Sequence, residues 1–372
     1  MMHSPPRTHG ACGASAVTPP QYRSGFVVKC PSVRIGIIAP PWAPIPPELY
    51  GGIEQAVDCE SRGLLAAGHD VLLFATGDST CPVPTQWLLE KSEGARIGFS
   101  VPELRHVAAA YDAVVGCDVI HDHTMIGPVY ASALTDIPVL TTIHGPLNVE
   151  LIDIYRRIAD RVPLIAISHA QLRADPGLRV AAVIHHGVDV QDFPVGKGGG
   201  DYCMYLGRMV AEKGAHRAIL AAREAGIRIL LAGKMREPWE TSYFESEIEP
   251  LLGDDAQYLG EVPYEEKIRL LADAKATLFP IRWNEPFGLV MLESLACGTP
   301  VLAFAEGAAP EVVADGRTGY LCRDEADMGA RLRTIGEIDR TECRADVEVR
   351  FSTERMAREH AELFERVLTP KR

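Results

Sequence analysis

In the stretch "NEPFGLVMLE", Glu285 and Glu293 stand eight positions apart, with Pro286, Phe287 and Gly288 between them. Two carboxylates so placed can each hold a pair of hydroxyls. Backbone N–H groups of Phe287, Gly288 and Leu289, at the start of a helix, favour an anion between them. Further upstream, "LGRMVAEKG" sets Arg208 and Lys213 five positions apart. A planar guanidinium fork and a mobile ammonium are complementary for a diphosphate. A ligand carrying both sugar hydroxyls and phosphates would use all four side chains.

Such groups need a frame. From Val33, short apolar runs alternate with longer amphipathic segments: "VRIGIIA" (33–39), "DVLLFA" (70–75), "DVIH" (118–121), "PVLTTIH" (138–144) and "PLIAIS" (163–168). These predict buried parallel strands separated by helices, a doubly wound α/β domain over residues 33–188. After the glycine-rich "HHGVDVQDFPVGKGGG" (185–200) the alternation restarts with "YCMYLG", "IRILLAG", "ATLFP", "PVLAF" and "GYLC", predicting a second Rossmann-like half over 189–350. In the site stretch, Pro286 suits the first turn of a helix ending with Gly298 at C′. "STERMAREHAELFERVLTP" predicts a C-terminal helix within 351–372, with Ser352 at its N-cap.

Ligands of such sheets bind outside the carboxyl ends of the strands. The loop after the first strand, "APPWAPIPPELYGG", ends in Gly51 and Gly52, which let a ligand approach the backbone where a helix begins. The G-x-G-x-x-G dinucleotide fingerprint is absent in the right context, which disfavours a nicotinamide enzyme.

Composition excludes other classes. The 372 residues carry 37 basic and 50 acidic side chains, a net charge of −13, which disfavours nucleic acid or an anionic membrane as the main partner. An anion must therefore be held locally. Nine scattered cysteines without a Cys-x-x-Cys pair read as reduced thiols of a cytosolic protein. Residues 1–32, rich in Pro, Ser, Gly and Thr, read as a disordered tail rather than a signal peptide. With no run of about 18 apolar residues, no integral membrane segment is expected. The reading is of a cytoplasmic protein, at most peripheral to a membrane.

These motifs, in this order, resemble the retaining nucleotide-sugar glycosyltransferases of family 4, which have the GT-B fold. The matching residues are Gly51 and Gly52, "TTIHG" with His144, "HHGVD", "LGRMVAEKG", the E-x7-E pair Glu285 and Glu293, "ACGTPV", and "GAAPEVV" with Glu311. The resemblance spans Val33 to Cys322. It implies a first domain that binds the acceptor, a second that binds the nucleotide-sugar donor, a cleft between them, and a C-terminal helix returning to the first. It also implies roles. Arg208 and Lys213 grip the donor diphosphate, Glu293 takes the ribose diol, and Glu285 meets the transferred sugar. Backbone at Phe287, Gly288 and Leu289 touches that sugar and the phosphates, and backbone at Val262 reads the base. His144 stands beside the sugar, and Gly52 lies near the diphosphate and the acceptor. Departures are His186, where relatives commonly carry Asn, and Ala308, where many carry Gly.

No cofactor and no catalytic metal are expected: Arg208 and Lys213 supply the charge, and no Asp-x-Asp pair is present. "HDH" (121–123) could ligate a metal, but alternation turns His121 and His123 to one side, and cleft-lining polar residues are the expectation. Cys297 is expected to pack rather than react. A sugar phosphorylase would ordinarily carry a pyridoxal-phosphate lysine late in the chain, yet only Lys371 follows Lys275. A nucleotide-sugar epimerase of the same architecture and a non-catalytic nucleotide-sugar-binding module are the alternatives. The acceptor, whether a small molecule, a glycan or lipid-linked, is expected at the first-domain loops 40–50, 76–100 and 123–128.

Overall fold

The computed structural model describes residues 32–49 and 51–369. The tail assigned to residues 1–32 lies, but for its last residue, outside them. Two parallel sheets carry the chain. The first contains β1 (Arg34–Ile38), β2 (Asp70–Ala75), β3 (Thr85–Trp87), β4 (Val119–Asp122), β5 (Val139–Ile143), β6 (Leu164–Ala166) and β7 (Ala182–Val183), in the order β3-β2-β1-β4-β5-β6-β7. The second contains β8 (Tyr202–Leu206), β9 (Arg228–Ala232), β10 (Ala256–Tyr258), β11 (Thr277–Phe279), β12 (Val301–Phe304) and β13 (Gly319–Cys322), in the order β10-β9-β8-β11-β12-β13. Every strand pair between these elements is parallel. Helices cover both faces, so the central strands are buried almost throughout; β4, β5 and β12 show no exposed position.

Strand order reverses between β1 and β4 in the first sheet and between β8 and β11 in the second. A crevice opens at the carboxyl ends of strands at such a switch point. The loops leaving β1, β8 and β11 are those that hold Gly51 and Gly52, Arg208 and Lys213, and Glu285.

The helix Thr353–Leu368 starts where expected, Ser352 accepting from the Arg355 N–H at 3.3 Å. Its apolar face enters the first domain's core: Met356, Leu363 and Phe364 pack with Val57 and Leu64 of the helix Gly52–Ala66. Each such side chain contributes roughly 1.5–3 kcal/mol through burial. The two helices approach closely at Gly63, where a Cβ would lie 2.8 Å from both Ala357 Cβ and Thr353 Cγ2. The chain thus passes between the domains twice, and the two passages lie side by side. The Val188 N–H donates to the Phe351 carbonyl at 2.9 Å, and the Thr353 N–H donates to the Val188 carbonyl at 3.1 Å. No helix among the described residues is long and apolar enough to cross a membrane.

Candidate active site

The site helix does not begin at Pro286. It spans Leu289–Ala296, with Gly288 as N-cap at φ +92°. A side chain at Gly288 would be strained in that conformation, and its Cβ would meet Met291 Cε and Phe279 Cζ at 2.9 Å. Pro286 therefore belongs to the loop, where its carbonyl accepts from Ser168 Oγ at 2.6 Å. Glu293 consequently lies in the second turn rather than two full turns along. Gly298 sits at C′, with φ +72° as expected of a helix stop.

A cavity of about 850 Å³ lies between the two sheets, and all eleven residues singled out from the sequence line it: Gly51, Gly52, His144, Arg208, Lys213, Val262, Glu285, Phe287, Gly288, Leu289 and Glu293. Its first-domain wall comes from Trp42, Ala43, Pro47 and Leu49 and from Gly94, Ala95 and Ile97. The 123–128 loop takes no part in it.

The charged groups are already paired. Lys213 Nζ donates to Glu285 Oε2 in a very short contact and lies 4.8 Å from the centre of the Trp283 ring. Arg208 Nε is 3.0 Å from Glu240 Oε1, an ion pair lacking hydrogen-bond alignment. Burial raises the Glu240 pKa. Donation from the Arg236 and Glu237 N–H groups and the charges of Arg208 and Lys234 nevertheless hold it below the ordinary carboxylate value.

Sequence reasoning missed Lys267. It extends from the helix Tyr264–Asp273, donates to Glu293 Oε1 at 2.6 Å, and sits 4.6 Å from the centre of the Tyr264 ring. A signal existed. The chain has only eight lysines, and Lys213, Lys234 and Lys267 all line this one cavity. In an acidic protein they form the local cation supply that an anionic ligand requires.

Glu311, in the short helix Ala309–Val312, ties the second domain to the first. It accepts from the His169 N–H at 2.9 Å, the Ala170 N–H at 2.6 Å and His185 Nε2 at 2.8 Å. Burial alone would raise its pKa, but these donors hold it below the ordinary carboxylate range.

His144 contacts His123 Nδ1 through its Nε2 at 2.8 Å, and its ring stacks on His186 with centroids 5.5 Å apart. Burial first, then the neighbouring imidazoles, hold His144 well below the usual histidine pKa, so it is neutral at neutral pH. His121 and His123 are not cleft-lining. Both are buried within the first domain, facing Glu60, because β4 carries them behind the cavity wall. Cys297 is fully buried, and burial pushes its thiol up to about 12, which leaves it to pack. The seven cysteines among the described residues are all free and buried.

Known proteins fit this arrangement. The family described as "Glycosyltransferase Family 4" matches residues 50–192, and that described as "Glycosyl transferases group 1" matches residues 190–341. The chain is 26% identical over 353 residues to a glycogen synthase of Mycobacterium tuberculosis (strain ATCC 25618 / H37Rv), covering 78% of this chain and 83% of that one. It is 28% identical over 355 residues to a phosphatidyl-myo-inositol mannosyltransferase of Mycolicibacterium smegmatis, covering 86% and 88%. Among solved structures, a glycosyltransferase involved in Avilamycin A biosynthesis superposes with a TM-score of 0.68 at 26% identity, over 90% of this chain and 98% of that one. A sucrose-phosphate synthase from Thermosynechococcus elongatus shares the fold with a TM-score of 0.74 at 21% identity, over 90% and 99%. With both halves of the chain matched and two parallel-sheet domains enclosing the cleft, the protein belongs to the group 1, family 4 glycosyltransferases of GT-B fold.

Proposed function

We propose that this glycosyltransferase moves a sugar from a nucleotide-sugar donor to an acceptor with retention of anomeric configuration, without a cofactor and without a metal at the reacting phosphates. The observation that carries the reading is the convergence of Arg208, Lys213, Lys267, Glu285 and Glu293 on one cavity at the switch points of both sheets.

The paired state of these groups suggests how they work. An arriving diphosphate takes over Lys213, and Glu285, released from the ion pair, turns to the sugar hydroxyls. Glu293, held by Lys267, takes the ribose diol. As the bond between sugar and phosphate breaks, negative charge gathers on the leaving diphosphate and the sugar becomes oxocarbenium-like. Fixed cations at that point lower the barrier more than they tighten ground-state binding. The leaving phosphate itself takes the acceptor proton on the same face, so no separate carboxylate nucleophile is required. The charge that Arg208 and Lys213 bring to the phosphates supports transfer without a divalent ion.

The named relatives act on unlike acceptors, so they do not specify this one. The wall formed by Trp42, Pro47 and Ile97 supports an acceptor seated against the first domain.

The test is incubation with a panel of nucleotide sugars, following release of nucleoside diphosphate with and without candidate acceptors, and the anomeric configuration of the product by NMR. Inverted product would overturn retention. Chelator added at the start of the assay should leave turnover unchanged. A loss that magnesium or manganese restores would overturn the metal-free reading.

A further inference from the structure

The first domain holds a second constellation behind the cavity wall. Glu60 projects from the helix Gly52–Ala66, His121 lies in β4, and His123 directly follows that strand. None of the three side chains is more than 3% exposed, and none lines the donor cavity. Glu60 Oε1 lies 2.6 Å from His121 Nδ1, Glu60 Oε2 lies 3.4 Å from His123 Nε2, and one donor atom from each residue falls within 4.8 Å of the others. His123 Nε2, aimed at the carboxylate, is buried with no hydrogen-bond partner.

The far side of each imidazole is engaged. His121 Nε2 is 2.9 Å from Thr142 Oγ1, and His123 Nδ1 is 2.8 Å from His144 Nε2. Such contacts orient a ring whose remaining nitrogen binds a metal. A void of about 10 Å³ adjoins the group, lined in part by Glu60, His123, Thr142, His144, His186 and His360. That is room for about one water.

We propose that Glu60, His121 and His123 bind a divalent transition metal of the zinc type, His121 through Nδ1 and His123 through Nε2, with a water in the adjoining void as fourth ligand. Two histidines and one carboxylate are a zinc donor set. Bonds of about 2.0–2.1 Å in a tetrahedron place ligand atoms about 3.3 Å apart, and the 3.4 Å between Glu60 and His123 meets that spacing. Glu60 and His121, now 2.6 Å apart, open by less than about 1 Å when the metal replaces their hydrogen bond, and the His121 proton then resides on Nε2 toward Thr142. The ion stands apart from the reacting phosphates. Its work is to fix His123 and, through it, the His144 ring at the cavity wall.

The test is metal analysis of the full chain by inductively coupled plasma mass spectrometry after growth with zinc and removal of loose metal. About one zinc per chain is expected, falling at least tenfold in Glu60→Gln and in His123→Gln. Should either variant fail to fold, the wild-type chain stripped of metal and titrated with cobalt(II) gives a second readout, a visible absorption band of a tetrahedral nitrogen and oxygen site. A folded, stripped chain that takes up neither ion overturns the proposal and leaves a proton-linked cluster. Full metal content in both folded variants overturns it as well. Neither measurement involves sugar transfer, so failure here leaves the proposed reaction standing.

Discussion

Glu285 and Glu293 share a helix entrance but not a partner, since Lys213 reaches the first and Lys267 the second. This gives the proposed division of labour a sharper form. Glu293→Gln should weaken the free nucleoside diphosphate and the intact donor alike, because the ribose is present in both. A hydrogen bond to a charged group contributes roughly 1.5–3 kcal/mol, so the loss should be on the order of tenfold to a hundredfold by calorimetry. Glu285→Gln should bind the nucleoside diphosphate nearly normally yet transfer sugar far more slowly. Equal binding losses in the two variants would dissolve the distinction. Lys213→Ala and Arg208→Ala should each lower turnover by orders of magnitude with the fold intact, as expected of groups that act on transition-state charge. Much of this was legible in the types and order of the residues, because carboxylates and cations at strand ends are local features. Lys267, Glu240 and Glu60 were not. Each becomes a partner only when distant segments meet.

At the level of elements, apolar runs marked ten strands because a buried parallel strand is apolar on both faces. The edge strands Thr85–Trp87, Ala182–Val183 and Ala256–Tyr258 escaped notice, being only two or three residues long with partly exposed positions. The start of the site helix was misplaced because proline signals a first turn, whereas the left-handed Gly288 delays it. Helix packing supplies a further expectation. At Gly63 even a methyl group must push Ala357 and Thr353 away. Gly63→Ala should therefore destabilise the protein by about 1–3 kcal/mol despite its better helix propensity, lowering Tm by a few degrees in calorimetry. A raised Tm would mean that the two helices part easily.

Across the whole molecule, buried imidazoles tie stability to pH. His106 is brought to about 4 chiefly by burial, against the Ala39 carbonyl that its ring contacts. His186 is brought to about 3 by burial and by the neighbouring His360 and His123. The unfolded chain protonates these groups near 6.5 while the folded chain does not. Their contribution is thus fully present above that value and is lost as pH falls toward their folded values, by about 1.4 kcal/mol per pH unit for each. Tm should fall steadily between pH 6.5 and 4.5, and His186→Asn should flatten the slope. Glu311, held low, adds its own loss only further down, below about pH 4.5. An unchanged Tm across the upper window would show that the buried rings protonate without unfolding.

The helix Thr353–Leu368, seated against Gly52–Ala66, also bears on the order in which the protein can be made. Domains generally fold as units, the N-terminal one first, while the ribosome is still adding residues. Here every strand of the first sheet has emerged long before Met356, Leu363 and Phe364 exist to cover its core. The second sheet, whose strands all lie between residues 202 and 322, is complete in sequence while the first still lacks its lid. The domain begun first is therefore the one finished last. Until the helix Thr353–Leu368 leaves the ribosome, an apolar face around Val57 and Leu64 stays open to chaperones, to proteases and to neighbouring nascent chains.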